Sequence, residues 1–218
     1  MIQEFCAENF TQIPQALHAG ATRIELCDNL AVGGTTPSLG VIAESFAYTT
    51  EKKIPLMVMI RPRSGDFVYN DLELKMMERD ILEVQKIGVD GLVLGCLTKE
   101  HLLDKEALLD LLGQAEGMQV TFHMAFDLIP TECQLPALTW LADHGVTRVL
   151  THGGPLTVPI EKQYPHLQRL IANADQRITF IIGGGITSKN KQHVWAALGN
   201  VELHGTKIVD LPASTSEA

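Results

Sequence analysis

Cations are scarce in this 218-residue chain: 17 Lys and Arg stand against 26 Asp and Glu, a formal charge of −9 with a pI near 5.3. That balance has the wrong sign for neutralising a nucleic-acid backbone or an anionic membrane surface, so neither is expected as a partner. Long apolar runs are also missing, none approaching the roughly 20 residues that a membrane helix needs. Met1-Ile2-Gln3-Glu4 lacks the basic and apolar regions of a signal peptide, and a cytoplasmic protein is expected. No Cys-x-x-Cys occurs. Cys6, Cys27, Cys96 and Cys133 are widely spaced and read as free thiols of a reducing compartment rather than disulfides. No linker rich in Pro, Gly or Ser divides the chain, which reads as one domain.

What is present is a rhythm. Short β-branched or apolar runs recur at Ile2–Cys6, Thr22–Cys27, Ile54–Ile60, Val89–Leu94, Met118–Phe122, Val146–Thr151, Ile178–Ile182 and Val201–His204. Helical periodicity lies between them, most clearly over Asp71–Ile87, where Leu74, Met77, Ile81 and Val84 share one face. Strand then helix, repeated, implies a parallel sheet. The strand starts are roughly 20 to 35 residues apart, as βα units require. Eight such units predict a (β/α)8 TIM-type barrel, with an open doubly wound sheet as the alternative. Gly20, Gly88 and Gly145 each precede a strand, where a helix end needs a left-handed residue. About a dozen residues follow the eighth strand. The barrel is therefore expected over 1–209 and a polar tail over 210–218, with the eighth helix missing or truncated. Such trimming would leave apolar surface exposed on strand one, strand eight or the first helix, so a homo-oligomer is expected.

In a barrel, alternate strand residues face the interior, and chemistry gathers at the carboxyl ends of the strands. In Arg23-Ile24-Glu25-Leu26-Cys27 the apolar residues suit the helix-covered outside, which turns Arg23, Glu25 and Cys27 inward. The same parity turns inward Glu4, Cys6, Met57, Met59, Arg61, Thr121, His123, Arg148, His152, Glu202 and His204. Buried charges must pair, so Glu4, Arg23 and Arg148 read equally well as a structural ion network. Cys6 and Cys27 end adjacent strands, and with Met57, Met59 or His123 nearby they would suit soft Cu(I). Buried free thiols also serve as small apolar side chains. A zinc site would need a cluster such as His123, His152 and His204.

Three loops add candidates. Arg61, Arg63 and Asp66 leave strand three together, and two guanidiniums in one loop suit an anionic substrate. His123 ends strand five with Asp127 four residues later, a candidate acid–base pair for which Glu25 is an alternative partner. Gly183-Gly184-Gly185 ends strand seven, where barrels often hold a phosphate or carboxylate against a helix. Gly184 and Gly185 are the candidate anion contacts, with His204-Gly205-Thr206 completing the cradle. A tight turn explains the triplet equally well.

Several longer segments are recognisable. Glu25-Leu26-Cys27-Asp28, the run Gly33–Gly40, the run Ile60–Tyr69, Thr121–Asp127 and Arg148–Thr151 together resemble the CutC family from about residue 2 to about residue 209. The resemblance implies a (β/α)8 barrel, a role in copper homeostasis, and a cytoplasmic and often oligomeric protein. It also implies copper, as Cu(I), at Cys6 and Cys27. The residues it matches are Glu25, Cys27, Arg61, Arg63, Asp66, His123, Asp127 and Arg148. Two departures stand out: longer members continue beyond strand eight, and Thr151-His152-Gly153-Gly154 replaces a common Ser-Gly, which speaks against His152 as a family-wide ligand. The alternative reading is a barrel enzyme for a small anionic or phosphorylated metabolite. In it Arg61 and Arg63 clamp the anion, Gly184 and Gly185 hold a phosphate, and His123 acts with Asp127 or Glu25.

Overall fold

The alternation within each strand separates two environments, and a closed sheet is what keeps them apart. The computed structural model describes residues 1–174 and 176–211. Its strands are β1 (Gln3–Glu8), β2 (Arg23–Cys27), β3 (Leu56–Met59), β4 (Gly91–Leu94), β5 (Gln119–Phe122), β6 (Arg148–Thr151), β7 (Thr179–Ile182) and β8 (Glu202–Gly205). They pair in parallel in chain order, and β1 pairs with β8, which closes the barrel and excludes the doubly wound alternative. Between the strands run α1 (Ile13–His18), α2 (Leu39–Glu51), α3 (Asp71–Ile87), α4 (Lys105–Gln114), α5 (Thr131–Asp143), α6 (Ile160–Asn173) and α7 (Lys191–Leu198).

Outward strand residues such as Phe5, Ile24, Leu26, Val58 and Leu92 merge with the helices into one apolar core. Inward residues Cys6, Cys27, Met57, Met59 and Val93 form a separate small cluster inside the barrel. Glu4, Arg23, Glu25, Thr121, Arg148 and His204 are buried there as well. Helix α3 shows why the periodicity was readable. Met77, Ile81 and Val84 are buried on one face, Asn70 and Glu73 form a capping box at its start, and Gly88 ends it with φ 90°. None of the described helices is long and apolar enough to cross a membrane.

Among the described residues no helix follows β8. The expected exposure along the seam is nonetheless corrected. Phe5 and Ala7 on β1 and Leu203 on β8 are fully buried, and α1 buries Ile13 and Ala16. Ile208 and Val209, just past β8, are buried in the same outer core, so this short segment helps cover what a helix would otherwise shield. The expected polar tail lies outside the described residues from 212 onward.

Candidate functional site

The β1–β2 register pairs Cys6 with Glu25 and Glu8 with Cys27, which stacks the two thiols around one carboxylate. Cys6 and Cys27 Sγ donate to Glu25 Oε1 at 3.7 and 3.4 Å. Ligand atoms of Cys6, Glu25 and Cys27 lie within 4.8 Å of one another, as do those of Glu4, Glu25 and His204. Beneath them Arg23 pairs with both Glu4 and Glu202. His204 Nδ1 stands 2.8 Å from Glu4 Oε1 and 3.9 Å from Glu25 Oε2. Glu25 Oε2 has no hydrogen-bond partner.

Burial sets the charges here. It pushes the Glu25 carboxyl up to about 8 against the opposing pull of His204. Burial acts on Glu4 in the same sense, but Arg23 and His204 hold Glu4 down at about 2. Burial disfavours the His204 cation, yet Glu25, Cys6 and Glu4 raise it well above the ordinary imidazole range. The hydrogen bond with Cys27, aided by His204, lowers Cys6 to about 5, while the same bond and burial raise Cys27 well above a free thiol. The bond they share thus pushes the two thiols in opposite directions.

A loop covers these thiols. After β2 the chain makes a short 3₁₀ turn at Leu30–Val32, then passes Gly33 and Gly34 with positive φ and forms the Asp28–Thr35 bridge. A Cβ on Gly34 would lie 3.1 Å from Cys27 Sγ, so only glycine lets the backbone pass this close. Arg61 latches the loop: Nη1 donates to Val32 O at 3.0 Å and Gly34 O at 2.9 Å, and Nη2 donates to Gly65 O at 2.9 Å.

The two-arginine clamp is not formed as expected, because the Arg63 fork and the terminal nitrogens of Arg61 already serve the loops. Arg63 donates to the carbonyls of Ser64, Asp66 and Val68 and pairs with Glu73 and with Asp66, which is itself exposed. The His123–Asp127 pair is not formed either. The 3₁₀ turn Met124–Leu128 carries Asp127 toward the β6 loop, where it accepts from Thr151 Oγ1, His152 N and Gly153 N. Burial raises the Asp127 carboxyl, and these donors pull it back. His123 Nδ1 instead accepts from Ala125 N.

Both ring nitrogens of His152 face carbonyls, Gly183 O at 3.1 Å and Val158 O at 2.8 Å. A three-histidine zinc cluster is therefore not assembled among the described residues. Gly184 is hemmed in by Leu156 and His152, whereas Gly185 faces open space on a cleft of about 420 Å³ that Pro159 and Asn190 also line. A larger cleft, about 620 Å³, opens at the amino-terminal ends of β7 and β8, away from the thiols. Inward parity pointed to Glu4 and His204, but their joining to Glu25 needed the β1–β8 register, to which no local sequence signal points.

The closed barrel and its thiol–carboxylate–imidazole interior define a (β/α)8 protein with a buried candidate metal centre under a latched loop. The position of that centre is set by the first two strands and the last. The chain belongs to the CutC family, whose profile matches residues 1–209. It is 60% identical over 209 residues to the family protein CutC of Enterococcus faecalis, covering 96% of this chain and all of that one. It is 40% identical over 203 residues to the human copper homeostasis protein cutC homolog, covering 93% of this chain and 72% of the human protein. A crystal structure of CutC from Streptococcus agalactiae superposes with a TM-score of 0.93 at 47% identity, covering 96% of this chain and all of that one.

Proposed function

We propose that this chain acts in copper homeostasis in the cytoplasm and binds Cu(I) through Cys6 and Cys27. The observation that carries the reading is the paired inward thiols, whose ligand atoms lie within 4.8 Å of each other and of Glu25. Soft sulfur donors select Cu(I), and the thioethers of Met57 and Met59 belong to the same interior cluster. The orphaned Glu25 Oε2 also fits a site that a cation completes. Glu4 is committed to Arg23 and His204, which leaves the thiols and Glu25 to meet the metal. Bound copper would supply a soft Lewis acid at that point, and Glu25 would balance its charge. A competition titration against a Cu(I) chelator tests this. Cys6→Ser/Cys27→Ser should weaken binding by at least about a hundredfold, and retention of the wild-type affinity would overturn the assignment.

The open face of Gly185 supports a second reading, a small anionic or phosphorylated metabolite held by Gly184 and Gly185 in the cleft beside α6. Crystals soaked in phosphate should then show density against these two glycines. A cleft that stays free of anion would remove this reading.

A further inference from the structure

The thiol site leaves unexplained a group of buried polar atoms at the tips of β3 and β5. Arg61, His123 and Tyr69 are 5%, 4% and 9% exposed. Yet Arg61 Nε and His123 Nε2 have no hydrogen-bond partner, and the Tyr69 hydroxyl, which lies against Arg61, donates to nothing. Buried donors are rarely left unsatisfied, and a group of them marks a missing acceptor.

The three residues are neighbours. Phe67, half-buried in the loop between β3 and α3, carries the Arg61 guanidinium 4.9 Å from its ring centre and the His123 ring at 4.7 Å. After burial, the Arg61 charge is the cause that lowers His123 to about 3, and the same charge opposes burial at the Tyr69 phenol. The His123 proton is fixed in place as well. Nδ1 accepts from Ala125 N at 3.2 Å, so the neutral ring carries its hydrogen on Nε2. Gly95 makes room for that ring, because a Cβ there would stand 2.6 Å from His123 Cε1.

Charge gives the second argument. The Arg61 terminal nitrogens are bound to carbonyls, and no carboxylate among the described residues pairs with this buried cation. A buried guanidinium without a counter-charge calls for an anion. An anion there would meet Nε–H of Arg61, Nε2–H of His123 and the Tyr69 hydroxyl as donors.

We infer that Arg61, His123 and Tyr69 form a receptor for one small oxyanion, the carboxylate or phosphate group of a small molecule, with Phe67 as its cover. The imidazole acts here as a neutral hydrogen-bond donor and transfers no proton. The receptor is independent of the Cu(I) assignment, since it uses neither thiol.

The test uses the whole chain with formate and, separately, inorganic phosphate as probes. Calorimetry should show saturable binding of one of them, and the NMR signal of the His123 ring Nε2–H should move along the same isotherm. Tyr69→Phe removes one donor and should weaken binding by about three- to about tenfold. Cys6→Ser/Cys27→Ser should bind the anion as the wild type does, so loss of the copper reading would leave this one standing. Failure of both probes to saturate, or an unmoved His123 signal during binding, overturns the receptor. If Tyr69→Phe does not fold, the His123 signal in the wild type decides alone. A crystal grown with the binding probe that shows only water on Nε2 would equally overturn it.

Discussion

Glu25 carries the plainest consequence of burial at the scale of one residue. Its folded-state pKa of about 8 exceeds the ordinary 4.5. Between those values the unfolded chain has released the proton and the folded protein keeps it, so stability falls as pH rises. The limiting slope for one proton is about 1.4 kcal/mol per pH unit. His204, also raised, loses its contribution as pH climbs through its folded value, so the wild type alone does not isolate Glu25. Glu25→Gln keeps the shape and removes the titration. Denaturant melts at pH 5 and pH 8 should therefore show the variant gaining on the wild type at the higher pH, and parallel pH profiles would contradict the assignment. Strand parity made Glu25 and Cys27 legible as interior residues. It could not show which of Glu25 and Glu4 is held neutral, because that depends on Arg23 and on His204, 200 residues from Glu4.

At the scale of elements, the β2 loop and its latch decide access to the thiols. Arg61 holds the carbonyls of Val32 and Gly34 over Cys27. Arg61→Ala should raise the rate at which a thiol reagent modifies Cys27 by at least about tenfold, through local opening. Arg63→Ala is the control, since the hydrogen bonds of Arg63 run within the loop after β3 and to Glu73 at the start of α3, and not to the Val32 and Gly34 carbonyls. Equal rates in the two variants would remove the latch. All eight strands were readable in order, most of them with ends a residue or two wider than observed. The latching by Arg61 was not readable, because the residue type alone does not say that its terminal nitrogens go to the loop carbonyls. His123 and Asp127 failed as a pair for a related reason: a spacing of four does not reveal that the turn faces Asp127 toward β6.

At the scale of the molecule, the buried seam moves any self-association elsewhere. Leu72 and Met76 lie one turn apart on α3 and are 68% and 54% exposed. We propose this face, rather than β1 or β8, as the contact between copies. Light scattering after size exclusion should give an oligomer for the wild type and a smaller species for Leu72→Glu/Met76→Glu. A monomeric wild type at micromolar concentration would reject the idea.

The ion pairs inside the barrel have a consequence in time as well as in space. Cys6 and Glu25 are separated by 19 residues and meet as soon as the first βαβ unit forms. His204 and Glu202 join Glu4 and Arg23 only when the last strand docks. A chain still being synthesised could thus hold its sulfurs together before it has the imidazole and the closing charges that govern them. Ring closure is thus what joins the imidazole and the closing charges to a thiol pair that the first two strands already hold.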